Sequence, residues 1–274
     1  MMQTVRPVGD YLREWRQRRR MSQLDLALEA EISTRHLSFM ETGRASPSRD
    51  MVLHLAERLE IPLRERNALL VAAGFAPVFS ERSLDDPALQ PARKAMELVL
   101  AGHEPYPALA IDRHWNLIAS NKAVPPLLAG IDPSLLQTPV NVLRLSLHPL
   151  GLAPRIANYA QWRAHLFERL RRQIDVSADP VLVALLNELA GYPPPAGAQQ
   201  TAQAGSHEYA GVVVPFQLAT ANGMLSFIST TTVFGTPMDV TLAEIALESF
   251  FPADAATAQA LRGFAEAEAM HPVS

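Results

Sequence analysis

The sequence predicts a multidomain chain: an all-α head of five helices over residues 1–76, a linker over 77–92, and an α+β domain over 93–274. Three observations predict this. Five short apolar-periodic segments, bounded by capping residues, proline or glycine, occupy residues 10–74. Two β-prone hairpins, with helical stretches between and around them, occupy the second part. Charge is also divided, with 12 Arg against 10 Asp plus Glu in residues 1–80, and 12 basic against 18 acidic residues in the remainder. A basic head on an acidic body assigns any polyanion contact to the head.

In the head, Asp10 to Arg20 sets Leu12 and Trp15 among Arg13, Glu14, Arg16, Arg18 and Arg19, which suits a short helix with a basic outer face. Ser22 is an N-cap, and Asp25 is its capping-box partner. Leu24, Ala27 and Leu28 supply the expected buried stripe as far as Ala30, and Glu31 and Ile32 make a turn. Ser33 caps a third helix, in which Leu37 and Met40 face inward. Thr34, Arg35 and Ser38 are left on the opposite face, with Phe39 at its margin. Gly43 stands where a helix end wants a left-handed residue. Ser46-Pro47-Ser48 opens a fourth helix carrying Met51, Val52, Leu55 and Leu59. Pro62 opens a fifth, which stops at Gly74. Five compact helices with a tight turn between the second and third outline a DNA-binding helix-turn-helix unit.

These residues also carry a family resemblance. The run SQLDLALEAEISTRHLSFMETGRASPS resembles the phage-repressor-type (XRE) helix-turn-helix. The wider string from LREWRQRRRMSQ to NALLVAAGFAP resembles the MmyB-like transcriptional regulators. So, in the same order, do HEPYPALAIDRHWNLIASN, NVLRLSLHPLG, FGTPMDVTLAEIALESFFPAD and ATAQALR. The resemblance implies a second domain of PAS-like fold that holds a small apolar effector of fatty-acid type, and it implies no required cofactor. It also implies a homodimer, because such heads generally read palindromes. At family positions, Gln23 and Arg44 contact DNA backbone phosphates, and Arg16 pairs structurally with Glu41 at an exposed site.

Element by element, the second part begins after a polar linker containing Ser83, Asp85, Asp86 and Pro87. A helix follows from Pro91 to Leu100. Tyr106–Asp112 and Trp115–Ser120 form a hairpin that turns at Arg113-His114. Asn121–Ala129 has helix character interrupted by Pro125-Pro126, and Ile156–Gln173 is an amphipathic helix whose basic surface is Arg163, Arg169, Arg171 and Arg172. Pro180–Ala190 is a more apolar helix, and residues 193–206 are a loop by composition. Val212–Thr220 and Met224–Val233 pair around Asn222-Gly223, a two-residue turn signal. Helices around Thr241–Phe250 and Ala255–Ala269 close the chain.

Early positions of a recognition helix meet base edges in the major groove, so Thr34, Arg35, Ser38 and Phe39 are the base-reading candidates. Arginine suits guanine bidentately, while Thr and Phe suit a thymine methyl. The bland alternative is a merely solvated helix face. Ser22, through backbone N–H groups, and Arg49 join Gln23 and Arg44 as candidate phosphate contacts. In the second domain Tyr106, Trp115, Phe216, Phe227 and Phe234, with Leu109 and Ile111, are the natural pocket lining, though strand aromatics are most often plain core. Asn121, Asn141, Arg144 and His148 are polar candidates for an effector head group, with a satisfied structural hydrogen bond or ion pair as the alternative.

Other classes are excluded or disfavoured. There is no cysteine, so disulfides, thiolate zinc sites and thiol nucleophiles are absent. The eight histidines form no H-E-x-x-H, and neither a G-x-S-x-G elbow, a Walker loop nor a G-x-G-x-x-G occurs, so no catalytic or metal site is expected. No signal-peptide h-region or membrane-span run is read, which makes a cytoplasmic protein the expectation. Two rivals stay open: a small-molecule-binding or enzymatic domain with an accessory DNA-targeting head, and a repressor or antitoxin that needs no ligand.

Overall fold

The computed structural model describes residues 6–196, 213–221 and 223–270. Residues 197–206 of the loop expected over 193–206 therefore lie outside the described residues, as does Asn222 of the second turn. The chain divides into two compact units. The first runs to Ser83 and takes in Asp175–Ala178 and Pro237–Ala243, and the second comprises the rest.

The first unit opens with α1 (Val8–Arg18), α2 (Gln23–Glu29), α3 (Thr34–Glu41), α4 (Arg49–Arg58) and α5 (Leu63–Ala72). Serine hydroxyls start three of them: Ser22 accepts from Asp25 N, Ser33 from His36 N and Ser48 from Met51 N. Each satisfies an amide that the first helical turn leaves unpaired. Ser22 and Asp25 form a full capping box. Leu12, Trp15, Leu37, Met40, Val52, Leu55, Leu69 and Leu70 make the core.

The stripe expected on α2 is corrected. Leu24 and Leu28 are 57% and 69% exposed, whereas Leu26, Ala27 and Ala30 are buried. All three leucines suit a helix equally, and the packing of α2 against α3 selects the Leu26 side. Gly9 lets α1 approach the end of α3, because a Cβ there would lie 2.5 Å from the Met40 carbonyl oxygen. Asn67 fixes the chain after α5, its Oδ1 accepting from Val78 and Phe79 amides and its Nδ2 donating to the Phe79 carbonyl.

The second unit begins with a 3-10 turn (Pro87–Leu89) leading into α6 (Gln90–Gly102). The hairpin of β1 (Ala108–Ile111) and β2 (Leu117–Ser120) follows. The helix character expected over Asn121–Ala129 reduces to a 3-10 turn at Pro125–Leu128, since the two prolines remove the amide donors an α-helix would use. After a further 3-10 turn (Pro133–Leu136), α7 (Val142–Leu147) is capped by Asn141. A last 3-10 turn (Ala153–Arg155) precedes α8 (Tyr159–Ser177) and α9 (Pro180–Ala190), and β3 (Phe216–Thr220) pairs with β4 (Gly223–Val233).

The helix expected over Thr241–Phe250 is corrected. Helix α10 spans only Val240–Ala243, and Ala246–Pro252 is the strand β5. Ala, Leu and Glu favour helix intrinsically, but here β5 is the middle of a five-stranded antiparallel sheet of order β2-β1-β5-β4-β3. Leu247, Glu248 and Ser249 are all buried, and pairing on both sides outweighs propensity. Helix α11 (Ala255–Met270) closes the described chain. The sheet and helices enclose an apolar core that includes Trp115, Leu145, Trp162, Leu166, Phe216 and Phe227.

Candidate functional site

The exposed face of α3 is built by its two ends. At the N-terminus Ser33 sets the first turn, and at the C-terminus Gly43 (φ +73°) reverses the chain. Only a residue without a Cβ adopts that conformation cheaply. The Arg44 and Ala45 amides then donate to the Phe39 carbonyl at 2.8 and 3.1 Å. Arg44 thereby returns over the helix, and its guanidinium lies 5.8 Å from the Phe39 ring centre. The exposed Arg35, one turn before, lies 5.2 Å from the same ring. Thr34 and Ser38 are half-buried beside them. The four base-reading candidates thus share one helix with Arg44 at its end, and Arg49 is exposed at the start of α4.

Ser22 and Gln23 sit differently. The Ser22 hydroxyl and amide are engaged with Asp25, and Gln23 Nε2 donates to Glu41 Oε2 at 2.8 Å. Arg16 pairs with Glu41 bidentately, Nε to Oε1 at 2.7 Å and Nη2 to Oε2 at 2.9 Å, and also donates to the Met21 carbonyl. The exposed setting expected for this pair is corrected: Arg16 is 9% and Glu41 2% exposed. Burial pushes the Glu41 carboxyl up, but hydrogen bonds from Arg16 and Gln23, with the Arg16 and Arg13 charges, outweigh it and hold it below the usual glutamate range.

The second unit contains an apolar cavity of about 110 Å³. Trp115, Leu145, Trp162, Leu166, Phe216 and Phe227 are among its walls, and Ser146, Arg169 and Glu248 are the polar residues that line it among the described residues. Trp162 Nε1 donates to Ser146 Oγ at 3.0 Å. Arg169 donates to both Glu248 oxygens, at 3.1 and 2.5 Å, and lies 4.9 Å from the Trp115 ring centre. Thr231 Oγ1 also donates to Glu248, at 2.9 Å. Burial, and then the Arg169 charge, push His165 below the ordinary histidine value.

Of the lining expected from the sequence, Trp115, Phe216, Phe227 and Leu109 are brought to the cavity, whereas Tyr106, Phe234 and Ile111 are not. The polar candidates are elsewhere. Asn121 accepts from Ala108 N and donates to the Leu100 and Tyr106 carbonyls, so it is a structural clamp. Asn141 caps α7 and donates to the His114 carbonyl. Arg144 is paired with Glu188 at 2.7 Å near the surface, and His148 accepts from Leu150 N and packs edge-on to Tyr192. Sequence reasoning misses Arg169, Glu248, Ser146 and Trp162 as cavity residues. It puts Arg169 on the basic surface of its helix, yet Arg169 follows Trp162 and Leu166 at steps of four and three, which is the buried stripe. That spacing is the available signal.

Among the described residues, no group of three or more His, Asp or Glu could hold a metal ion, and no helix is long and apolar enough to cross a membrane.

Comparison with known proteins matches residues 92–263 to the MmyB-like transcription regulator ligand binding domain and residues 7–69 to a helix-turn-helix domain. A protein of Methanoculleus marisnigri that carries the name of an HTH-type transcriptional regulatory protein is 37% identical over 120 residues. That match spans 42% of this chain and 38% of the relative.

Proposed function

This chain belongs to the MmyB-like transcription regulators, and we propose that it is a sequence-specific DNA-binding regulator whose second domain, PAS-like in fold, senses a small apolar, fatty-acid-like effector. The observation that carries the reading is the cavity: an aromatic-walled void in a regulator's ligand-binding domain, reached, among the described residues, by the polar side chains of Ser146, Arg169 and Glu248. Sites of this make-up hold ligands by apolar burial and orient them by a few polar groups. A void of about 110 Å³ is close in size to cavities that hold a single ring, so it suits a short chain or ring without rearrangement.

On the DNA side, Thr34, Arg35, Ser38 and Phe39 read bases in the major groove, and Arg44 and Arg49 hold phosphates. Ser22 and Gln23 support the phosphate contact from the start of α2. Phe39, with the Arg35 and Arg44 guanidiniums 5.2 and 5.8 Å from its ring centre, joins an apolar ring to two cations, suited to a thymine methyl in a phosphate-lined groove. In a cytoplasmic homodimer, two such heads would meet half-sites about one helical turn apart. The effector acts through its differential affinity for dimer arrangements that fit or miss that spacing, with residues 77–92 as the connection. Neither enzymatic turnover nor a bound cofactor is part of this reading.

The test joins both halves. Full-length protein is purified, its organic extract is analysed by mass spectrometry, and operator binding is measured with and without the extract's apolar fraction. A retained apolar compound that shifts operator affinity is expected. A clean extract, together with operator binding indifferent to every apolar compound supplied, overturns the sensor reading and leaves a ligand-free repressor.

A further inference from the structure

With the cavity read as the effector site, the turn between β1 and β2 ties one of its walls to two places where the chain enters the second unit. Trp115 lines the cavity, yet its backbone is left-handed, with φ at +67°. A bulky residue occupies that region only where its surroundings hold it there. Asp112 accepts from the His114 and Asn116 amides, Asn141 donates to the His114 carbonyl, and the Val142 amide donates to the Trp115 carbonyl. On α8, Gln173 accepts from Trp115 Nε1 at 2.7 Å and donates to the Arg113 carbonyl at 2.6 Å. These bonds hold Trp115 away from a less strained backbone arrangement.

The two residues before Trp115 grip a pair of carboxylates. His114 Nε2 donates to Asp179 Oδ2 at 2.8 Å, and the Arg113 guanidinium lies 3.7 Å from Asp179 and 3.6 Å from Glu244. Burial pushes the Asp179 carboxyl up, but hydrogen bonds from His114 and the Val181 amide, with the His114 and Arg113 charges, outweigh it and hold it below the usual aspartate range. Asp179 is the first residue of the second unit after Asp175–Ala178, and Glu244 is the first after Pro237–Ala243. Those two stretches belong to the first unit and are fixed there. Ala178 packs on the head core, and Val240 N donates to the Ser80 carbonyl at 2.8 Å. Thr241 Oγ1 donates to the Arg82 carbonyl at 2.6 Å, and Arg82 Nη1 to the buried Asp239 at 3.0 Å.

We infer that the Arg113–Trp115 turn transmits the effector signal: a ligand that displaces Trp115 shifts Arg113 and His114 on Asp179 and Glu244, and so changes how Asp175–Ala178 and Pro237–Ala243 are held in the DNA-binding unit. The ligand moves this equilibrium by its differential affinity for the two arrangements of the turn. A chain of eight carbons is larger than the single ring that a void of this size holds, so it enters only by moving a wall. Trp115 is the wall with strain to release.

Octanoate is the probe. Calorimetry on the full-length protein reads its affinity, and fluorescence anisotropy reads the affinity for an operator selected from random DNA, with and without saturating octanoate. For the unaltered protein, octanoate should shift operator affinity roughly tenfold, and the operator should shift octanoate affinity by the same factor. Arg113→Gln removes the cation of the turn, and Asp179→Asn removes its partner charge while keeping the cap on α9. Each variant should bind octanoate within about twofold of the unaltered protein and show an operator shift below about twofold. Arg144→Ala should keep the shift in full. Hydrogen exchange at the Val240 amide gives a reading without DNA: octanoate should change its rate several-fold in the unaltered protein and leave it unchanged in Arg113→Gln.

A folded Arg113→Gln or Asp179→Asn variant that keeps the full operator shift overturns the inference and leaves the cavity reading standing. An unchanged Val240 rate in the octanoate-bound unaltered protein also overturns it, whether or not the variants fold. Octanoate binding with no operator shift in the unaltered protein removes the sensor reading and the inference with it. Failure of octanoate to bind removes the cavity reading itself.

Discussion

Each unit buries one glutamate held by an arginine on two oxygens, and the two pairs have different surroundings. In the first unit, Glu41 is closed in by Arg16, Gln23 and the α1–α3 contact at Gly9. In the second, Glu248 and Arg169 form part of a cavity wall. The difference teaches that the chemistry of a pair does not fix its role. A pair enclosed between helices holds its elements in register, whereas one with a face on empty space also meets whatever enters that space. The same contrast separates Arg35 of α3 from Arg169 of α8, since Arg35 is exposed toward solvent while Arg169 is turned inward.

The sharpest way to break this contrast is to remove Glu41. Glu41→Ala strands the Arg16 charge in the head core and should cost about 3–5 kcal/mol. Chemical denaturation followed by far-ultraviolet circular dichroism measures it, and a loss below about 1 kcal/mol would place the pair with ordinary surface pairs. Its pH dependence has a definite sign. Because the folded Glu41 carboxyl titrates below its ordinary value of 4.5, its stabilisation is present above that value and is lost as pH falls through the folded one. The midpoint of head unfolding should therefore drop in acid, and Glu41→Gln should flatten that drop.

Next in size is Leu166→Phe, which fills part of the cavity. Overpacking should cost about 1–3 kcal/mol if neighbours cannot shift. Binding of a single-ring apolar ligand such as toluene, read by calorimetry, should fall roughly tenfold, a loss of about 1.4 kcal/mol, while the operator affinity of effector-free protein stays within error. A matching collapse of DNA binding would show that the substitution unfolds more than the cavity. Arg35→Ala should remove about 1–3 kcal/mol of preference for the operator over random DNA. Competition binding reads the difference, and an equal fall on both DNAs would make Arg35 a phosphate contact. The smallest effect is expected at Arg144, whose pair with Glu188 is exposed at both ends. Arg144→Ala should change stability by only about 0–1 kcal/mol and leave the cavity's affinity for a single-ring apolar ligand as it was.

Much of the head is legible because its signals are local. Ser22, Ser33, Ser48, Gly43 and Gly74 act on the turn in which they stand, and caps obey chain geometry whatever lies around them. The outer face of α3 follows from the inward pair Leu37 and Met40 on the same short helix. The stripe of α2 does not follow, because Leu24, Leu26 and Leu28 are chemically alike and only the neighbouring helix distinguishes them. In the second domain, Trp115, Phe216 and Phe227 are legible as apolar wall from their places in or beside β-prone runs, while the polar members of the wall are not. Asn121 and Asn141 stand beside apolar runs, as a ligand-binding group would, but backbone partners brought from elsewhere in the fold satisfy them.

By itself, then, the sequence determined the division into an all-α head and an α+β domain, the capped turns, and which face of α3 is turned outward. These depend on hydrogen bonds and periodicities spanning a few residues. The tertiary structure decided that Ala246–Pro252 is a central strand, that the Arg16–Glu41 pair is buried, and that Arg169 meets Glu248, 79 positions away, at the cavity. Each depends on a partner distant in the chain, whose approach outweighs local preference because buried polar and apolar groups must be satisfied together.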